Sequence, residues 1–283
     1  MELNEPLPIS MQFRANEKTS TAVYEDEPLI LSVAIVNDGA VQAASYNASL
    51  EIQRQELERK FNTKQIKEEE FKRRVTEIEQ RKLKLRIYRL GGPKGWTHFI
   101  KFYILSEDIW KEVNWPLNLL TFYPHTKVAE LDASTSCYVE FGLDPQDTSR
   151  LPQGEFHVKA RAEMVEGKSV ESNIVIVNLL REKLPEAKEN EEETLLSKAR
   201  YYYKKGIYDE AREFVDRALL VNPQSIQSLI LLGDIEEGRK NLSIALSTYE
   251  KALDEFQRQY PDSRGAPRSL VSKINRLRVS KGR

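Results

Sequence analysis

Tyr202-Tyr203-Lys204-Lys205-Gly206-Ile207-Tyr208-Asp209-Glu210-Ala211 joins two helix-forming stretches through a glycine, and the residues around it recur further along the chain. Leu195, Ala199, Ala211, Val215 and Ala218 return 34 residues later as Leu229, Gly233, Ala245, Tyr249 and Ala252. Antiparallel helices approach to about 8–10 Å only where one offers Gly or Ala to the bulky side chains of the other. Ala199/Gly233 and Ala211/Ala245 are the expected contact points, with Val215/Tyr249 as the knobs beside them.

A period of 34 with this alternation of small and bulky residues resembles the tetratricopeptide repeat family. The resemblance spans roughly residues 192–262, with two units over 194–262, and Pro223 closes the first unit where the family usually has Pro. The second unit also keeps Leu232 but departs at Glu236, where an aromatic is usual, and at Gln257, where Pro would stop the helix. Its second helix is therefore expected to continue to Tyr260 and to end at Pro261-Asp262-Ser263. Such repeats present a groove to another polypeptide and rarely carry chemistry of their own. Carried over position by position, the groove residues are Glu193, Leu196, Arg200, Tyr203 and Lys204, then Gln227, Ile230, Asp234 and Glu237. The Lys and Asn pattern by which some relatives clamp a terminal carboxylate is missing, because Leu196 and Arg200 occupy those places. The resemblance thus implies a helix or extended peptide with both apolar and charged groups as the ligand.

Two units leave an apolar edge uncovered, and three or more are usual. Leu270, Ile274 and Leu277 follow Ala266-Pro267 at helical spacing, so residues 263–283 are read as a capping helix with a basic tail. Arg268, Lys273, Arg276, Arg278 and Lys281 lie on its other face.

The chain of 283 residues is long enough for two domains with proper cores. A net charge of −1 with 31% charged residues gives no basic excess, so no nucleic-acid partner is expected. No apolar run reaches the ~18 residues of a membrane span. Met1-Glu2-Leu3-Asn4-Glu5-Pro6 has neither a basic start nor an apolar core, so no signal peptide is read. The compartment stays open between the cytoplasm and an exported protein expressed without its signal. The one cysteine, Cys137, sits in an alternating strand pattern and reads as a small core residue.

Residues 1–181 read as an antiparallel β-sandwich. Strands are expected over 29–37, ending at an Asp38-Gly39 hairpin turn, and over 84–88, 97–104, 136–141, 155–162 and 172–177. The rhythm of Leu151-Pro152-Gln153-Gly154-Glu155-Phe156-His157-Val158, followed by Glu171-Ser172-Asn173-Ile174-Val175, resembles the last two strands of immunoglobulin-like domains. An insertion at about 43–82 lacks Gly and Pro and is rich in good helix formers. Tyr46, Leu50, Leu57 and Phe61 mark one face, and Ile66, Phe71, Val75 and Ile78 a second, with Thr63 placed to cap the second helix. This helical hairpin reads as a structural arm, as a coiled coil joining a homodimer, or as a partner-binding arm. An acidic linker, residues 182–193, separates the β-domain from the repeats.

Nothing in the spacing points to catalysis. His98, His125 and His157 are scattered without metal-ligand spacing, so no metal or cofactor is expected. Gly91-Gly92-Pro93-Lys94-Gly95 lacks the Lys-Ser/Thr end of a phosphate loop and reads as a hairpin loop. The segment 108–124 gathers Trp110, Trp115, Phe122 and Tyr123 in a loop-like stretch that either closes the sandwich or offers an aromatic patch. The sequence therefore reads as a multi-domain α and β chain: a sandwich with an inserted hairpin, then an all-α repeat domain. The expected role is a non-enzymatic scaffold or adaptor. A carbohydrate- or surface-binding module using segment 108–124 is the alternative, and a coplanar exposed Trp110/Trp115 pair would support it.

Overall fold

The computed structural model describes residues 9–82, 87–165, 167–181, 191–261, 263 and 265–281. The N-terminal part comprises β1 (Ile9–Ala15), β2 (Ser20–Tyr24), β3 (Leu29–Asn37), α1 (Gly39–Asn62), α2 (Glu68–Arg81), β4 (Tyr88–Gly91), β5 (Ile100–Ser106), β6 (Ile109–Glu112), β7 (Asn118–Tyr123), β8 (Val128–Leu131), β9 (Ser136–Leu143), the single turn α3 (Pro145–Thr148), β10 (Gly154–Glu163), β11 (Ser169–Glu171) and β12 (Val175–Leu180). Helices α4 (Glu191–Lys204), α5 (Tyr208–Val221), α6 (Ile226–Gly238), α7 (Leu242–Gln259) and α8 (Arg268–Lys281) follow. The chain is thus of mixed α and β class, with its C-terminal part helical. No helix among the described residues is long and apolar enough to cross a membrane.

Period-2 alternation decides the β part, because successive side chains of a strand point to opposite faces. β1 buries Ile9, Met11, Phe13 and Ala15 while its intervening residues stay exposed. One sheet runs β1-β3-β9-β7, and a second runs β2-β12-β10-β5-β6 with β11 beside β10. Their inward residues form one cluster, in which Phe102 of the second sheet lies 5.5 Å from both Phe13 and Phe141 of the first. Cys137 belongs to this cluster, and burial pushes its thiol up to about 12. The pairing is antiparallel except between β2 and β12, which run parallel, so a wholly antiparallel arrangement is corrected.

Several local expectations also change. Asp38-Gly39 opens a helix instead of a hairpin: Asn37, itself buried, accepts the Gly39 N–H on Oδ1 at 2.9 Å and donates from Nδ2 to Leu131 O. The inserted arm consequently begins at Gly39. Thr63 closes α1 and does not cap α2, since its hydroxyl donates back to Arg59 O at 2.9 Å. Leu50, Leu57 and Ile78 are buried between the two helices, and Phe61 stacks on Phe71 at 4.7 Å, so the arm's apolar residues largely satisfy one another. Trp96–Phe99 is a 3-10 turn, which places His98 outside the strand expected over 97–104. Residues 172–174 precede β12 instead of belonging to it. Residues 83–86 and 182–190 lie outside the described part, and Glu191, Glu192 and Glu193 form the first turn of α4, not linker. Carboxylates are favoured there by the helix dipole.

Helices α4 and α5 pack as an antiparallel pair, as do α6 and α7, and α8 lies against the second pair. Ala199, Ala211 and Ala218 are buried between the first two helices with Val215 and Leu195. Ala245, Tyr249 and Ala252 of α7 meet Leu229 of α6 and Leu270, Ile274 and Leu277 of α8. Glu236, fully buried, is held by Arg212 Nη1 at 2.7 Å and by Asn241 Nδ2 at 2.7 Å. A buried carboxylate is tolerated when charge and hydrogen bonds meet it in this way.

Candidate interaction surface

Two surfaces organise the helical part: the face of α4 that meets the sheets, and the line of residues running from α4 across α6 to α8. The first follows from Tyr201, whose neighbours in sequence point elsewhere. Tyr202 stacks on Phe214 of α5 at 5.6 Å, whereas Tyr201 is fully buried against β9. A Cβ at Gly142 would lie 2.5 Å from Tyr201 Cε2, so only glycine leaves room for the ring there. The Tyr201 hydroxyl donates to Asp144 Oδ1 at 2.5 Å, Lys205 Nζ donates to the same oxygen at 2.9 Å, and Asn118 Nδ2 donates to Oδ2 at 3.3 Å. Partial burial pushes the Asp144 carboxyl up, but the hydrogen bonds from Lys205, Tyr201 and Asn118 together hold it below its ordinary value. Burial, and then Asp144, push the Tyr201 hydroxyl well above the usual phenol range.

Further along the same face, Lys198 Nζ donates to Asp26 at 2.8 Å, beside Glu27 in the β2–β3 turn. Glu27 is buried, and that burial raises its carboxyl despite the Tyr24 N–H, the Thr194 hydroxyl and Lys198. The seam between helices and sheets therefore carries ion pairs and hydrogen bonds across it, while Glu27 Oε1 is buried there without a hydrogen bond.

The nine groove positions carried over from the repeat family divide between these surfaces. Glu193 pairs with Lys18 at 2.6 Å, Arg200 reaches Glu17 at 3.6 Å, and Lys204 pairs with Glu140 at 2.7 Å, all contacts to the β-domain. Leu196 is buried in the α4–α5 cluster, so it faces the helices and not an incoming chain. Asp234 accepts from the Tyr249 hydroxyl and from Lys273, and Glu237 pairs with Arg276 at 2.7 Å, so α8 meets both carboxylates. Tyr203 and Ile230 are half-buried and Gln227 is exposed, with Arg200 Nη2 donating to Gln227 Oε1 at 3.2 Å. Burial, followed by the charge of Asp234, raises the Tyr203 hydroxyl, which places the α4 and α6 positions near one another.

The aromatic segment is two strands, not a loop. β6 edges one sheet and β7 edges the other, and residues between them cross from sheet to sheet. Trp115 and Phe122 pack on the shared core, and Trp110 lies under Lys159 Nζ at 4.5 Å. Tyr123 is 56% exposed and stacks on Tyr138 at 6.4 Å. No described ring contact joins Trp110 to Trp115. Among the described residues there is no group of three or more His, Cys, Asp and Glu side chains placed to hold a metal ion.

Comparison with known proteins adds little to this geometry. No protein-family model and no curated protein matches the chain. Among solved structures, the crystal structure of Spo0M, a sporulation control protein from Bacillus subtilis, matches at 11% identity over 65% of this chain and 55% of that one, with a TM-score of 0.28. A likeness at that score carries no argument about fold or function.

Proposed function

We propose that α4–α7 are two tetratricopeptide-type units mounted on an immunoglobulin-type sandwich, and that the chain is a non-enzymatic scaffold holding another polypeptide along the α4–α6–α8 line. The observation that supports this reading most is the recurrence of buried small residues at matched positions. Ala199 and Gly233, and likewise Ala211 and Ala245, are buried at the contacts between paired helices, 34 residues apart. The open part of the surface is then Tyr203, Gln227 and Ile230. The ion pairs of Arg200 and Lys204 with the β-domain set one margin, and those of Asp234 and Glu237 with α8 the other. Because the flanking charges are already matched within the chain, the favoured ligand is an apolar stretch with polar ends, laid along an extended or helical path.

Capture of a polypeptide partner from the native source tests the reading. Tyr203→Ala with Ile230→Ala should weaken capture about tenfold, roughly 1–2 kcal/mol, since aromatic and apolar anchors dominate interfaces. Capture that survives this pair of changes but is lost in Trp110→Ala would move the site to the sheets.

A further inference from the structure

Carboxylates along the seam between sheets and helices are matched by cations, with one exception. Glu17 faces Arg200, Asp26 faces Lys198, Glu140 faces Lys204, Asp144 faces Lys205 and Glu193 faces Lys18. Glu27 is only 5% exposed, yet among the described residues no cation lies within ion-pair distance of it. Its Oε2 accepts the Tyr24 N–H at 3.3 Å, and its Oε1 is enclosed with no hydrogen-bond donor.

The neighbours of Glu27 do not make good this lack. On its own turn it faces the Asp26 carboxylate and the Tyr24 N–H, and on α4 it faces the Thr194 hydroxyl and the Lys198 ammonium. Lys198 is committed to Asp26 at 2.8 Å, with its own side chain 12% exposed. Two adjacent carboxylates thus share one ammonium beside α4. An ionised carboxylate enclosed in this way is costly, whereas the neutral acid is tolerated. Burial accordingly raises the Glu27 carboxyl above its ordinary value of 4.5.

We propose that Glu27 takes up a proton when α4 docks on the β2–β3 turn, which makes the seam a latch that mild acid tightens. Without α4 over it, the turn leaves the Glu27 carboxylate in water, where ionisation has no penalty. Docking removes that water and supplies Oε1 with no donor, so the docked form binds a proton that the undocked form releases. Docking therefore strengthens as pH falls from the raised value of Glu27 to its ordinary 4.5. Asp144 sets the lower limit, because its contribution to the seam is lost only below its ordinary value of 3.8. Between these limits the seam is tightest, and at neutral pH it is looser.

Two measurements on the full chain test this. In a carboxyl-carbon NMR titration, the Glu27 resonance, identified by its absence in Glu27→Gln, should have its midpoint above 4.5. Dyes on Glu107→Cys in the β5–β6 hairpin and Leu220→Cys on α5, both exposed, report docking as energy transfer in a urea series, with circular dichroism marking unfolding. The urea midpoint for loss of transfer should be higher at pH 5 than at pH 7. In Glu27→Gln, which keeps the shape without the charge, that difference should shrink, and the pH 7 midpoint should rise. Every other titratable group is common to both proteins, so the difference between their curves belongs to Glu27. A Glu27 midpoint at or below 4.5 overturns the proposal, as does a pH difference that is absent from the wild type or equally large in Glu27→Gln.

Discussion

The ring of Tyr249 lies on the backbone of Gly233, so close that a Cβ on Gly233 would come within 2.5 Å of ring carbon Cδ1. One helical pair earlier, 34 residues back, stand Ala199 and Val215, both fully buried. The two helical pairs thus divide the volume differently at these positions: a methyl and a branched aliphatic in one, a bare backbone and a phenol in the other.

Gly233→Ala is accordingly expected to destabilise the helices by about 1–3 kcal/mol, overpacking outweighing the gain in helix propensity. Combining it with Tyr249→Val restores the Ala/Val partition of the first unit. The double variant should be less destabilised than the sum of the single ones, read from urea unfolding as a coupling energy. Additive costs would show that the two residues do not share one space.

Tyr201 should anchor the helices to the sheets. Tyr201→Phe keeps the ring and removes one hydrogen bond to Asp144, at a cost of about 1 kcal/mol. Tyr201→Ala also empties a fully buried site, at about 3–5 kcal/mol. In the alanine variant, thermal unfolding should separate into two transitions, one for each module. A single unshifted transition in Tyr201→Ala would contradict the seam.

Two carboxyls at the seam should respond to pH with opposite sign. Asp144 is held below its ordinary value of 3.8, so its contribution is present above that value and is lost as pH falls through the lower folded one. Asp144→Asn should flatten this acid loss. Glu27 is raised by burial, so its charged form costs stability at neutral pH, and the cost fades as pH falls through its raised value. Glu27→Gln should therefore gain stability at pH 7, with the gain shrinking toward acid. Stability-against-pH curves of the two variants check both signs.

Removing α8 by truncation after Ser263 should expose the apolar edge formed by Leu229, Ala245, Tyr249 and Ala252 and leave Asp234 and Glu237 without Lys273 and Arg276. The truncated chain should aggregate or lose cooperative unfolding of its helices. Unchanged calorimetry would show that α8 is dispensable.

What was legible in the sequence was what depends on local spacing. The helical C-terminal part could be read because Gly and Ala fall at fixed intervals among bulky residues, and the run to Gln259 because no Pro stops α7. The strand Leu29–Asn37 could be read because a run of branched apolar residues follows Pro28, its burial alternating from Leu31 onward. Asp38-Gly39 misled because the cap of α1 is supplied by Asn37, whose place is fixed by a bond to Leu131 in a distant strand. Segment 108–124 misled because β6 and β7 are short edge strands on different sheets, joined through Pro116. The seam had no local signal, since Tyr201 and Asp144 are 57 residues apart and only the docked fold joins them. Three successive tyrosines were the one hint, because a helix cannot point all of them at one neighbour.

The central claim is that a polypeptide lies along the α4–α6–α8 line. A photo-crosslinking residue placed at Gln227, exposed on α6, reports on it directly, with the same residue at Leu220, exposed on α5, as control. The account predicts a discrete crosslinked polypeptide from Gln227 that fades in the Tyr203→Ala/Ile230→Ala background, and none from Leu220. A product from Leu220 alone, or equal products from both, would contradict it.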